Sequence, residues 1–210
     1  GNIGRKGVGV NPLRGQNNVQ GAADMGCQPH QGAGYFEVAD EKVQNFYTEK
    51  YGVVHPTKQG LKIPEMFDGA INKDVKAVWI IGEDIVQTDP NSAHVVQAMN
   101  SLELLVVQEI FMSETAKLAT VVLPGTTFLE KNGTFTNTER RIQRVNQAVP
   151  PLPGTKTDGM IVTDMMQKLG FDQPTYDADQ VLAEIADIVP FFKGVTRERL
   201  GKMGLQWPVQ

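Results

Sequence analysis

Two short apolar runs in the middle of the chain, 76–81 and 104–107, are each followed by polar residues. Carboxylates and amides bind hydroxyl and N–H groups, and glycine lets a ligand approach the backbone closely. Such side chains suit ribose hydroxyls or the N–H edge of a guanine, and they are equally typical of ordinary loop and helix N-cap positions. These residues are Gly82, Glu83, Asp84, Gln87, Thr88, Asp89, Gln108 and Glu109.

A second candidate is an arginine in a loop rich in amides and glycine, residues 11–21. Arg14 offers a planar, permanently charged fork that suits a carboxylate, and Gln16 adds a second polar contact. A lone loop arginine is also a common surface residue. The group Arg140, Arg141 and Arg144 is typical of a solvated or interface face.

Composition excludes several classes of protein. The 210 residues include one cysteine and three histidines, too few for a disulfide framework or a Cys/His metal cage, so we predict no metal ligands in this chain. A formal net charge of −4 gives no general attraction to nucleic acid. No apolar run is long enough for a membrane span and no signal peptide is evident, so we expect a cytoplasmic protein. The Gly-rich start without Met suggests an internal piece of a longer chain.

The elements that must position these residues are predicted from apolar patterns. The runs 76–81, 104–107 and 120–123 alternate with helical stretches at about 89–99 and 113–118. The first of these stretches is opened by Asp89 and Pro90 or by Asn91. Strands that alternate with helices indicate an α/β fold with a Rossmann-like parallel sheet and flanking helices. Ligands of such sheets bind beyond the carboxyl ends of the strands. The loops after the first two strands are therefore the expected pocket, although no G-x-G-x-x-G fingerprint follows a strand.

Outside this block, the patterns predict surface and connecting elements. A helix over 40–51 is capped by Gly52, and residues 134–144 are a strand and turn. Asp158 opens a helix that Gly170 stops, and a last helix covers 178–188. We interpret residues 1–34 as a loop-rich active-site segment of an adjacent domain, and 35–210 as the α/β domain.

Several long motifs together resemble the catalytic subunits of formate dehydrogenases, which belong to the molybdopterin oxidoreductases. The two longest are residues 9–21 (GVNPLRGQNNVQG) and 133–143 (GTFTNTERRIQ). Shorter matches cover nearly the whole chain in order: residues 1–4, Gly82 to Asp84 with Thr88, 107–111, 123–124 and 156–158.

The resemblance implies a bis(molybdopterin guanine dinucleotide) cofactor that carries Mo or W, with its guanosine end on the α/β domain. It implies that Arg14 orients formate beside the metal and that Gln16 lies near the pterin. Formate would be oxidised to CO₂, with two electrons passing to the metal and then to a [4Fe–4S] cluster outside this chain. The cofactor-binding residues implied are Gly82, Glu83, Thr88, Gln108, Glu109, Gly125 and Asp158.

The sequence also departs from that family. It lacks the N-terminal cysteine cluster, the cysteine or selenocysteine metal ligand with its adjacent histidine, and the C-terminal cofactor-capping domain. We therefore expect the chain to be inert alone, and its partners to be the other domains of the same subunit and electron-transfer subunits. Residues 22–26 read AADMG where many relatives have a cysteine before the aspartate, a change that we interpret as neutral.

Three alternatives stay open at this point. One is a non-catalytic electron-transfer scaffold related to the large iron-sulfur subunit of respiratory complex I, and the Arg14 loop argues against it. Another is a nitrate reductase-type enzyme, against which residues 133–143 favour formate. The third is a plain nucleotide-binding α/β module, which would bind free guanine nucleotide tightly.

Overall fold

The computed structural model of the protein describes residues 1–10, 13 and 15–209. The α-helices are α1 (Val19–Asp24), α2 (Glu41–Tyr51), α3 (Ile63–Ile71), α4 (Ile85–Thr88), α5 (Ser92–Ser101), α6 (Glu114–Lys117), α7 (Asp158–Lys168), α8 (Ala178–Ile188) and α9 (Arg197–Leu200). The β-strands are β1 (Ala77–Ile81), β2 (Leu104–Glu109), β3 (Val121–Pro124), β4 (Gly133–Thr136), β5 (Arg141–Val145) and β6 (Leu205–Gln206).

The chain divides into two compact units. The sheet unit consists of Lys58–Gly133 and Val145–Val181, and the terminal unit consists of Gly1–Thr57, Thr134–Arg144 and Leu182–Gln210. The predicted division into residues 1–34 and 35–210 concerns domain membership in a longer protein, and it stays a prediction.

The sheet unit is built on a parallel sheet with the strand order β1, β2, β3. β1 and β2 pair from Ala77 with Leu104 through Ile81 with Gln108, and β2 continues onto β3 as far as Glu109 with Pro124. The strands are short apolar runs linked by helices, which is the pattern that favours parallel pairing. The predicted α/β class with a Rossmann-like parallel sheet is confirmed.

Helices α3 and α5 supply much of the core of the sheet unit. Val95, Ala98 and Met99 of α5 are buried and pack with Leu105 and Val107 of β2 in one cluster. The spacing of the α5 residues places them on one helix face. Asn91 is the N-cap of α5, which was one of the two predicted starts of this helix. Its side-chain oxygen accepts a hydrogen bond from His94 N at 3.3 Å.

Helix α3 is absent from the predicted elements. It begins with Ile63 and Pro64, and the Glu65 carboxylate accepts a hydrogen bond from Lys62 N at 2.7 Å, which satisfies one free N–H at the helix start. Phe67 and Ala70 then enter the core of the sheet unit. Its nine residues are too few for an apolar period to stand out from the surrounding Gly-rich and Lys-rich sequence.

The terminal unit has its own core around Ile142, Val189, Phe192, Val195 and Leu200. In its sheet, with the order β4, β5, β6, strand β5 pairs antiparallel with β6. The predicted helix over 40–51 is α2; it buries none of its residues and ends at Gly52 in the left-handed conformation. Within the described ranges, no helix combines the length and the apolar character needed to cross a lipid bilayer.

Candidate functional site at the carboxyl ends of the strands

The carboxyl ends of β1, β2 and β3 meet at one edge of the parallel sheet. The loop after β1 is tied to β2 because Gly82 N donates to Gln108 O at 2.9 Å. The loop after β3 is tied to the end of β2 because Gly125 N donates to Glu109 O at 3.0 Å. The sheet register thus brings two glycines and two polar side chains together, although they are separated by up to 43 residues in sequence (82 to 125).

This edge encloses a cavity of about 440 Å³. Five of the seven predicted cofactor-binding residues line it: Gly82, Gln108, Glu109, Gly125 and Asp158. Thr126, Thr127 and Lys131 add polar groups, and Ile81, Ile110 and Phe128 add apolar surface. Such a mixture, largely concave with a few convergent polar groups, is typical of a small-molecule site.

Gln108 is the most deeply placed polar residue of the cavity, with 1% of its surface exposed. Its Nε2 donates to Asp158 Oδ1 at 2.7 Å. The Lys131 ammonium forms an ion pair with the other oxygen of the same carboxylate, Asp158 Oδ2. The side-chain oxygen of Gln108 is buried and has no hydrogen-bond partner. A buried acceptor without a hydrogen-bond partner typically lowers the stability of a fold by about 1–3 kcal/mol.

Thr126 presents a second unsatisfied atom in the same cavity. Its side chain is 4% exposed, and its hydroxyl is buried without a partner. A hydroxyl can both donate and accept, whereas the free atom of Gln108 only accepts. A ligand that satisfies both atoms must therefore carry at least one hydrogen-bond donor.

Glu130 holds the loop that carries Thr126 and Lys131. Its carboxylate accepts from Thr127 N at 2.8 Å, from the Thr127 hydroxyl at 3.0 Å and from Leu152 N at 3.0 Å. These bonds, first that from Thr127 N, keep the pKa of Glu130 below its usual value. The loop after β3 is consequently fixed by a charged anchor.

The other two predicted cofactor-binding residues do not line this cavity. The Thr88 hydroxyl donates to Glu83 Oε1 at 2.6 Å, so that these two side chains bond to each other. Next to them, the Asp84 carboxylate accepts from Thr115 Oγ1 at 2.6 Å and from Thr115 N at 3.0 Å. The roles predicted for Glu83 and Thr88 stay predictions, whereas Asp84 has a structural task.

Of the two predicted catalytic residues, Arg14 lies outside the described residues. Gln16 is exposed and lies in the terminal unit, shortly before α1. The roles of both residues stay predictions.

Helix α1, which follows the Gln16 loop, is firmly held within the terminal unit. The Asn18 side-chain oxygen accepts from Thr136 N at 2.9 Å. A Cβ on Gly21 would lie 2.2 Å from that same oxygen, so that only glycine leaves room for this bond. Two of the long motifs, 9–21 and 133–143, are therefore joined by a hydrogen bond.

At the end of α1, Asp24 is fully buried. Its Oδ1 accepts from Tyr35 Oη at 2.7 Å and from Gln20 Nε2 at 2.8 Å, while its Oδ2 has no partner. Burial raises the pKa of Asp24 more than these hydrogen bonds lower it. Burial and the neighbouring carboxyl raise the pKa of Tyr35 to about 12.

Sequence reasoning missed Thr126, Thr127 and Lys131. The strand pattern predicted a pocket from the loops after the first two strands only, and the family resemblance added only Gly125 and Asp158 beyond them. The same rule, applied to the third predicted strand, includes the loop from Gly125 to Lys131, since all parallel strands end at the same edge.

Comparison with known proteins places this fold. The acetylene hydratase from Pelobacter acetylenicus superposes with a TM-score of 0.57 over 78% of this chain and 24% of its own, at 20% identity, which shows a likeness of fold.

Two curated relatives are much closer in sequence. The "F420-dependent formate dehydrogenase subunit alpha" of Methanocaldococcus jannaschii is 45% identical over 210 residues, 99% of this chain and 31% of the relative. The "F420-dependent formate dehydrogenase 1 subunit alpha" of Methanococcus maripaludis is 47% identical over 212 residues, with the same coverage. The chain thus spans about a third of the length of these relatives. The resemblance to formate dehydrogenase catalytic subunits, predicted from the motifs, is confirmed.

A family model described as molybdopterin oxidoreductase matches residues 1–168, a range that includes the strand-end cavity and all nine predicted site residues. With four fifths of its length matched in this way, the chain belongs to the molybdopterin oxidoreductase family, and this membership implies a molybdopterin cofactor.

Proposed function

We propose that this chain is part of the catalytic subunit of a formate dehydrogenase, and that its strand-end cavity holds the guanosine end of a bis(molybdopterin guanine dinucleotide) carrying Mo or W. The supporting comparison is the 45–47% identity to subunits named as formate dehydrogenases. The observation that carries the cofactor site is the pair of buried, unpartnered polar atoms, Gln108 Oε1 and Thr126 Oγ1, in one cavity.

The residues of the cavity fit a guanine by their donor and acceptor types. The N1–H and amino groups of guanine donate hydrogen bonds, and the Gln108 oxygen and the Asp158 carboxylate are acceptors. A base with two adjacent donors matches two adjacent acceptors. The size also fits, because about 440 Å³ lies in the range of small-ligand sites.

Each residue of the cavity has a proposed task. Gln108 and Asp158 bind the base edge, and the Thr126 hydroxyl binds a polar atom beside it. Gly82 and Gly125 keep the rim free of side chains, so that a ligand can reach the backbone. Glu109, at the rim, is suited to a ribose hydroxyl, and we extend the same proposal to Glu83 and Thr88 in the loop after β1.

When bound, the cofactor supplies the metal that accepts two electrons as formate is oxidised to CO₂. The resemblance assigns Arg14 the task of holding the formate carboxylate by a charge-assisted pair, which neutralises the substrate and aims its C–H bond. Gln16 contributes a polar contact beside it. The partners proposed are the other domains of the same subunit, which would hold the [4Fe–4S] cluster, and electron-transfer subunits. A cytoplasmic location stays a prediction.

The test uses the product of the complete open reading frame that contains this sequence. We expect it to reduce a viologen dye in the presence of formate, and we expect Arg14→Ala to lower that rate by about 10²-fold or more with unchanged metal content. Near-normal formate turnover in Arg14→Ala would refute the role proposed for Arg14. A metal-loaded, pterin-containing protein that ignores formate would refute the proposed substrate.

A further inference from the structure

The orientation of the Gln108 amide decides what the cavity recognises. A glutamine presents either its oxygen, an acceptor, or its NH₂ group, a donor, and a half-turn of the amide exchanges them. Here one end of the amide lies 2.7 Å from the Asp158 carboxylate, so that end must be the NH₂ group, because two oxygens at that distance would repel. The oxygen is therefore left for the cavity.

This orientation depends on the position of Asp158. A displaced Asp158 carboxylate would no longer require the NH₂ group of Gln108 on its side. Lys131 is paired with the oxygen of Asp158 that Gln108 does not use, and both side chains are more than half buried, with 26% and 38% of their surface exposed. The ammonium fixes the position of the carboxylate from the far side.

The three side chains reach one another from separate segments. Lys131 follows β3, Gln108 belongs to β2, and Asp158 occupies the first turn of α7, whose N-terminus favours a negative charge. Gly125 lies beside the Asp158 carboxylate: a Cβ built on this glycine would be 3.6 Å from Asp158 Oδ1, which is an ordinary contact distance. The loop of Lys131 is itself anchored by Glu130, as described above.

We infer that Lys131 is a positioning residue which, through Asp158, holds the Gln108 amide with its oxygen toward the cavity and thereby makes the site selective for a base edge that donates hydrogen bonds. The inference rests on the proposed function, since it concerns how the proposed guanosine site chooses its base. It assigns selectivity to a lysine that is absent from the predicted site.

Selectivity of this kind separates guanine from adenine. On the corresponding edge of adenine, an acceptor nitrogen lies next to the amino donor. That nitrogen would face the Gln108 or the Asp158 oxygen. An acceptor placed against an acceptor loses a hydrogen bond and leaves buried atoms unpaired, which makes such a site discriminate strongly. Removing the lysine should let the Asp158 carboxylate move away from Gln108, free the amide to turn and so weaken this discrimination.

The experiment compares the 210-residue chain with two variants of it. Lys131→Met removes the ammonium and keeps an unbranched apolar stem. Lys156→Met is the matched control, because Lys156 is also paired with an aspartate of the sheet unit, Asp164 at 2.5 Å, and does not line this cavity. Affinities for GDP and ADP are measured by calorimetry, and the exchange of the Gln108 side-chain amide protons is followed by NMR.

We expect the unaltered chain and Lys156→Met to prefer GDP over ADP. In Lys131→Met we expect GDP affinity to fall at least about tenfold and the ratio of GDP affinity to ADP affinity to decrease. The Gln108 amide protons should exchange faster, while the thermal stability of the chain is unchanged. Lys131→Arg, which restores the charge, should recover most of the preference.

Other results would overturn the inference in separable ways. If GDP and ADP affinities fall equally in Lys131→Met while Gln108 exchange is unchanged, the lysine acts on the phosphates and does not position the amide. If Lys131→Met keeps the preference, the inference fails and the proposed guanosine site stands. If the unaltered chain binds neither nucleotide, the proposed site fails, and the inference with it.

Discussion

Replacing Asp84 by alanine should test how the loop after β1 is held in place. The Asp84 carboxylate accepts hydrogen bonds from the hydroxyl and the backbone N–H of Thr115, which is fully buried. It also accepts from Glu114 N at 3.3 Å and from Gln87 Nε2 at 2.8 Å. Alanine would leave the two donors of Thr115 without this acceptor. At about 1 kcal/mol for each, the low end because Asp84 is partly exposed, we expect a loss of about 2 kcal/mol.

The loss should depend on pH in a defined direction. Burial raises the pKa of Asp84, but the hydrogen bonds, led by those from Thr115, outweigh it and the net pKa is lowered below the reference value of 3.8. A carboxyl whose folded-state pKa is depressed stabilises the fold above its unfolded pKa, and this contribution disappears as the pH falls through the folded value. The difference between the two proteins should therefore be full near pH 7 and shrink below about pH 4.

Urea unfolding can measure this difference for the sheet unit alone. The chain has two tryptophans, Trp79 in β1 and Trp207 in the terminal unit, so a Trp207→Phe background leaves Trp79 fluorescence as the reporter. Asp74→Ala, at an exposed aspartate of the same unit, serves as the control and should change stability by less than about 0.5 kcal/mol. A loss below about 1 kcal/mol for Asp84→Ala, or a loss that does not diminish in acid, would refute the anchoring role.

Two further substitutions test other contacts. Gly159→Ala should destabilise the sheet unit by about 1–3 kcal/mol, because its Cβ would lie 2.1 Å from the Tyr176 ring; Gly133→Ala, with open space around it, should be nearly neutral in the same urea assay. Asp24→Asn should remove a pH dependence from the free energy of unfolding of the terminal unit. Unfolding of this unit is followed by Trp207 fluorescence. Burial raises the folded-state pKa of Asp24 above 3.8, so its protonated form is favoured in the fold and the unaltered chain should lose stability as the pH rises through that range. An Asp24→Asn variant with the same pH profile would contradict this.

The parallel sheet could be predicted because its signal is local. The strands β1, β2 and β3 contain uninterrupted apolar runs of five, four and three residues, 77–81, 104–107 and 121–123, and parallel strands need such runs since helices link and cover them. The cap residues Asn91 and Gly52 could be predicted for the same reason, as each acts on its own helix end. From the sheet alone it follows that residues after the strands meet at one edge.

The partners of individual side chains could not be predicted. Gln108 and Asp158 are 50 residues apart, and their contact depends on where α7 begins beside the sheet. Lys131 looks in sequence like any solvent-exposed lysine, and its ion pair follows from the anchoring of its loop by Glu130. Likewise, nothing local distinguishes Thr126 from an ordinary loop threonine, because its lack of a partner exists only in three dimensions.

Two of the side chains with a buried, unpartnered atom, Asp24 and Gln108, differ in what they imply. Asp24 has a buried oxygen without a partner, but a carboxyl can take up a proton, and its raised pKa is the expected response to burial without a compensating charge. Gln108 has no such response, since an amide has no proton to gain in this pH range and its NH₂ group is already committed to Asp158. Its free oxygen can be satisfied only by a donor that enters the cavity. The unpaired atom of Gln108 is therefore the stronger indication of a ligand, and the strand-end cavity is the place to look for one.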